Sequence, residues 1–207
     1  MTKHKTPTNN NQQGFTIVEL MIATAIFSIV LLILTFGVLQ ITNSYYRGVT
    51  ESNTQNTARN IINAVSQSIQ FGGDSFASAG TPNAGAVYCI GSQRYSYITG
   101  KELEDNPKNS DQVTHVLVVD NPSGCSANNS GLNSGGQELL GQNMRLAAFT
   151  VAQVGTSSLY KIDVRVLYGD VDLLTATTGP SATCNTGSGS QFCAVSELST
   201  IVQKRVQ

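Results

Sequence analysis

The chain has 207 residues, with 12 basic against 13 acidic side chains, a net charge of −1 and only 12% charged residues. That length fits one domain plus an anchor. The lack of a basic excess argues against nucleic-acid binding, and sparse charge with abundant Gly, Ser, Thr and Asn suits an exported surface protein. Residues 1–13, rich in Asn, Gln, Thr and Lys without an apolar core, read as disordered. Lys3 and Lys5 place this end in the cytoplasm by the positive-inside rule and leave the C-terminal part outside.

Residues 20–41 follow, 22 residues with neither a formal charge nor a proline. As a helix they cover roughly 33 Å, enough to cross the hydrocarbon core of a bilayer. Ala23, Ala25, Ser28 and Gly37 are small positions that permit close helix approach. Glu19 stands at the edge of this stretch. A charge at mid-bilayer costs roughly 2.5–3.5 kcal/mol on insertion scales, less near the interface. Two readings explain it: pairing with a positive charge during assembly, or an acid at the headgroup boundary favoured by the helix dipole.

Helical periodicity continues over residues 43–71. Ala58, Ile61, Ile62, Val65 and Ile69 recur at helical spacing on one face, Arg47 and Glu51 lie four apart, and Gly72-Gly73 supplies a stop. The pattern predicts one helix over 15–71, or a second helix after a break at Asn43-Ser44. Residues 74–86 read as a Gly/Ala/Ser-rich loop containing Pro82. Strand-like runs come next: 86–90 and 94–99 as a hairpin around Gly91-Ser92, then 113–119, then 146–154 and 159–168 joined at 155–157, then 199–206. In the run 159–168, Tyr160, Ile162, Val164, Val166 and Tyr168 alternate with other residues, as in a half-buried strand. Together these predict an α+β fold, with an antiparallel sheet of four to six strands on the second half of the helix. The Gly/Ser/Asn-rich loops at 121–136 and 179–191 are either binding surfaces or solvated spacers.

Cys89, Cys125, Cys184 and Cys193 all lie beyond the apolar segment, and an even number in an exported domain favours disulfides. Three pairings are open; closing Cys184–Cys193 and joining Cys89 to Cys125 is preferred. With no CxxC, and with His4 and His115 far from any cysteine pair, no metal site is expected. No cofactor is expected either. A catalytic relay would rest on His115 alone, which reads as a solvent-side strand residue, and no GxSxG, HExxH or P-loop pattern occurs. Asp170 and Asp172 lack the glycine and glutamate of a calcium loop and read as a turn. The chain reads as a non-enzyme.

The residues Gly14-Phe15-Thr16-Ile17-Val18-Glu19 carry the functional information. An ordinary secretory signal is cut after its apolar part. Here the junction precedes it, so the apolar segment would survive as the new N-terminus. This arrangement resembles the class III signal of type IV pilins and pseudopilins. The resemblance implies cleavage between Gly14 and Phe15 by a prepilin peptidase, N-methylation of Phe15, and pairing of Glu19 with the Phe15 amine of a neighbouring subunit. It covers about a quarter of the chain with specificity; over the remainder it is architectural. Softer similarities to PilW-type minor pilins and J-type pseudopilins lie in Ala25-Ile26-Phe27, Asn60-Ile61-Ile62, Ile69-Gln70 and residues 198–202. The helix-breaking proline of many pilins is absent; Phe36-Gly37 occupies that neighbourhood.

The implied organisation is a cleaved polar leader (1–14), a transmembrane assembly helix (15–42), an amphipathic helix half (43–72) and an exported β-sheet domain (73–207). The implied partners are other pilin subunits, the prepilin peptidase/N-methyltransferase, the inner-membrane assembly platform and the membrane itself. The implied location is the cytoplasmic membrane, as a single pass with the N-terminus inside, and then a pilus or pseudopilus. A minor pilin role is favoured over a type II secretion pseudopilin or a tip adhesin.

Overall fold

The computed structural model describes residues 14–73, 75–122, 132 and 135–205. The leader (1–13), most of the 121–136 loop with Cys125, and Val206 lie outside the described residues. One helix, α1 (Ile17–Phe71), includes both Asn43 and Ser44, where the alternative reading put a break. The chain divides into two units, Met1–Asn43 and Ser44–Gln207.

In the first unit every helical side chain is exposed, including Leu20, Ile26, Phe27, Leu32 and Phe36. Its hydroxyls turn back on the helix. Thr24 Oγ1 donates to the Leu20 carbonyl at 3.0 Å, Ser28 Oγ to Thr24 at 2.8 Å and Thr35 Oγ1 to Leu31 at 2.8 Å. Bonded in this way, they expose no unsatisfied donor, as an apolar surrounding requires.

In the second unit α1 buries Thr50, Thr54, Ala58, Ile61, Val65 and Ile69, at spacings of three and four residues. Burying each of the large aliphatic members contributes about 1.5–3 kcal/mol. Among the described residues ten strands form two five-stranded sheets, and Ala58, Ile61, Val65 and Ile69 share one core with residues of both. The first sheet orders β1 (Phe76–Thr81), β2 (Gly85–Ile90), β3 (Gln93–Tyr97), β6 (Leu117–Asp120) and β7 (Gln137–Glu138). The second orders β10 (Ala194–Gln203), β9 (Leu159–Tyr168), β8 (Met144–Gln153), β4 (Glu102–Leu103) and β5 (Gln112–Val113). Pairing is antiparallel except between the two-residue strands β4 and β5. The predicted α+β class holds, and each sheet falls within the anticipated strand number.

Three local expectations need correction. Residues 76–81, read as loop, form β1 and pair with β2 from Phe76↔Ile90 to Thr81↔Gly85. After Phe76 their side chains are small and carry no hydrophobic alternation, so the partner strand makes them extended. The run 113–119 is not one strand: Val113 ends β5 in the second sheet, and Leu117 opens β6 in the first. Residues 114–116 cross between the sheets. In β9 the alternation is incomplete, because Arg165 and Leu167 are buried too. A segment running from the 3₁₀ turn Val171–Leu173 to Cys193 covers that outer face, where Leu167 and Ala147 meet Leu174, Ala182 and Cys193.

The shared core brings Ile61 and Val65 against Leu146, Phe149, Ile162 and Val166. The rings of Tyr88 and Tyr97 stack at 5.5 Å, and Phe149 stands edge-on to both at 5.4 and 5.1 Å. The end of α1 locks to the β2–β3 turn by backbone contact. Gly91 has φ +61°, and a Cβ there would lie 1.9 Å from the Gly72 carbonyl oxygen.

Candidate functional site

The N-terminal site is built by the first turn of α1. Thr16 precedes the helix, and Glu19 is the acid of its first turn. The Thr16 amide donates to Glu19 Oε2 at 3.0 Å, the Thr16 hydroxyl donates to the same oxygen at 2.8 Å, and the Glu19 amide donates to Thr16 Oγ1 at 3.3 Å. This reciprocal pair is a capping box, the Thr-x-x-Glu pattern that satisfies orphan N–H groups at a helix start. The pattern is visible in the sequence, and it gives Glu19 a local partner that the two sequence readings did not name. Phe15 lies just before the cap, 79% exposed. Gly14 has nothing within 4 Å of where a Cβ would be, so the bond between Gly14 and Phe15 lies in open chain. The helix that follows is long and apolar enough to cross a membrane.

The other candidates scatter. Cys184 and Cys193 form a disulfide that closes the segment over the second sheet. Cys89 is disulfide-bonded as well; Cys125, its preferred partner, lies outside the described residues. Beside the Cys184–Cys193 bridge, Phe192 packs on Tyr46 at 5.3 Å between ring centroids, and Thr50 Oγ1 donates to the Gln191 carbonyl at 3.3 Å. The loop at 179–191 is thus tied to α1 at one end. Asp170 and Asp172 flank the start of the 3₁₀ turn at Val171–Leu173, and the described residues hold no group of three or more potential metal ligands.

His115 lies on the crossing between the sheets, its Nδ1 3.5 Å from Glu138 Oε2. Glu138 accepts the amides of Val116, Leu117 and Leu140 at 2.9, 3.0 and 3.1 Å, and burial pushes its carboxyl above the ordinary range.

Sequence reasoning missed three buried arginines that brace the sheets. Arg145, wholly buried in β8, bonds Glu102 and, at 3.2 Å, the Gly100 carbonyl, with Asp111 at 3.3 Å. Arg94 Nε meets Asp120 Oδ1 at 2.9 Å across the β3–β6 pair. Arg165 gives two hydrogen bonds, 3.1 and 2.7 Å, to the Ala182 carbonyl and a third to Glu197. A lone arginine in a strand pattern carries no signal of its partner in sequence.

Residues 9–35 match the family model for the prokaryotic N-terminal methylation motif. No curated protein and no solved structure matches this chain. The matched range supports a class III prepilin-type signal and spans the capping box and the start of the apolar helix. That signal, the apolar helix and the α+β architecture support a pilin-like or pseudopilin protein and fit a membrane anchor. The motif points to a structural protein processed by prepilin peptidase and assembled with other pilins.

Proposed function

We propose that this protein is a minor pilin, a structural subunit of a type IV pilus. The carrying observation is the capped first turn at Thr16–Glu19, set between an open Gly14-Phe15 junction and a wholly exposed apolar helix. In this reading the peptidase cuts after Gly14, and Phe15 becomes the N-methylated terminus. The helix is held in the cytoplasmic membrane with its start on the cytoplasmic side until the assembly platform extracts it. Of the two Glu19 carboxylate oxygens, Oε2 takes both hydrogen bonds among the described residues. Oε1 is then left to meet the Phe15 amine of a neighbouring subunit, a charge pair that offsets the cost of an acid beside lipid. The exposed apolar surface of the helix packs against copies of itself in the filament.

A type II secretion pseudopilin uses the same N-terminal chemistry and is the second reading. The test is the mass of the N-terminal peptide from membrane-recovered protein. A peptide starting at Phe15 and heavier by one methyl group supports processing by pilin machinery. An intact Met1 in cells with active prepilin peptidase sinks both readings. Deleting the gene and counting surface pili then separates them: loss of pili supports the minor pilin, and loss of protein secretion with normal pili supports the pseudopilin.

A further inference from the structure

A groove of about 730 Å³ runs between the C-terminal part of α1 and the β3, β6 and β7 side of the first sheet. Its volume lies within the usual range of small-molecule clefts. We propose that this groove binds a neutral oligosaccharide.

The lining selects the ligand class by what it offers. No lysine or arginine lines the groove among the described residues, and Arg205, which stands over the Phe71 ring, lines a different cavity, so the groove wall itself offers no counter-charge to a phosphate or carboxylate. Its one ionisable acid is Glu138, whose two oxygens already accept three backbone amides. That carboxylate is committed to closing the ends of β6 and β7 rather than to holding a cation. The apolar lining is too thin and dispersed for an acyl chain, being limited to residues such as Ala64, Val119 and Leu139.

Neutral groups with both donor and acceptor capacity remain. Asn60, Gln67 and Gln137 present exposed amides to the groove. On its floor Ser68 Oγ and Tyr95 Oη lie 2.6 Å apart, and both reach the Ala64 carbonyl, at 3.2 and 3.1 Å. Tyr95 is buried beneath this set, and the half-buried Ser68 Oγ keeps a lone pair that a ligand hydroxyl can donate to. Burial holds the Tyr95 phenol above its ordinary pKa, so it stays neutral. At one end the Phe71 ring carries the Arg205 guanidinium 5.4 Å from its centroid and is still 60% exposed, which leaves apolar surface on which a sugar ring can lie. A polyhydroxylated chain suits this combination: many neutral donor–acceptor groups, one aromatic platform and a single acid already occupied by backbone amides. The inference concerns the sheet-bearing unit and stands whichever filament the subunit joins.

The test uses the full chain in phosphocholine-detergent micelles, since glycosidic detergents would compete. Isothermal titration with chitotetraose and with maltotetraose is expected to give saturable heat for at least one, with Kd between about 10 μM and 1 mM. The double variant Asn60→Ala/Gln67→Ala alters only exposed helix positions. It is expected to weaken binding about tenfold or more, with unchanged near-UV circular dichroism and Tm. A second variant, Gln137→Ala, probes the opposite wall and is expected to weaken binding in the same direction. Three results overturn the proposal: no saturable heat with either sugar at about 10 mM, equal binding by the double variant, or tighter binding of a neutral Ser/Asn tetrapeptide than of either sugar.

Discussion

The two parts of α1 share one backbone geometry and bury their side chains in opposite ways. Between Ile17 and Ile41 apolar residues point in all directions, and none is covered by the chain. Between Thr50 and Ile69 one stripe, Thr50, Thr54, Ala58, Ile61, Val65 and Ile69, is buried, with Ile62 partly buried beside it. A helix apolar all round needs an apolar surrounding from outside the domain, whereas an amphipathic helix finds its cover within it. The polar side chains follow the same division. Hydroxyls of the first part bond only their own helix, while in the second part Thr50 reaches the Gln191 carbonyl and Ser68 reaches Tyr95. Lipid or other subunits are thus left to stabilise the first part, and the sheets stabilise the second.

The sharpest way to break this comparison is at the lock where α1 ends. Gly91→Ala sets a Cβ against the Gly72 backbone at a left-handed φ, and neither backbone has a side-chain rotation to relieve it. Destabilisation of about 4 kcal/mol is expected, read by denaturant unfolding in micelles. Next comes a matched pair. Ile61→Ala empties a fully buried site and is expected to cost about 3 kcal/mol, whereas Ile22→Ala is expected to stay below about 0.5 kcal/mol in the same assay. Equal losses at the two positions would mean that the first part also packs on the domain.

A pH series acts on the buried part alone. Burial raises the Glu138 and Glu102 carboxyls, so the folded chain keeps protons that the unfolded chain has lost. Their contribution is fully present below the ordinary carboxyl value of 4.5 and is lost as pH rises through the raised ones. Stability is therefore expected to fall as pH rises through that window, and Glu138→Gln to flatten the fall; a wild-type curve that instead rises there refutes the assignment. The smallest effect belongs to the exposed Arg47–Glu51 pair, 3.0 Å apart: Arg47→Ala is expected to cost about 0.3–0.5 kcal/mol.

Much of the fold was legible because it rests on local pattern. The stripe from Ala58 to Ile69 and the β2–β3 turn at Gly91-Ser92 both stand at their predicted places. The strand β9 occupies residues 159–168 as read. What failed depended on distant partners. Residues 76–81 have no strand pattern of their own, and the split of 113–119 follows from the gap between two sheets rather than from any residue in the run. The capping box at Thr16 and Glu19 was legible but went unread, because the rarity of an acid beside an apolar span drew both sequence readings toward charge.

From the sequence by itself came the apolar helix, its amphipathic continuation and the methylation signal, each a matter of residues within a few turns of one another. Only the tertiary structure decided that the strands divide into two sheets and that Arg145 is buried against Glu102. It alone decided that the Cys184–Cys193 segment covers Leu167 and that a polar groove opens beside Tyr95. Periodicity records which face of an element is apolar, but the identity of what covers that face is set by contacts between residues far apart in the chain.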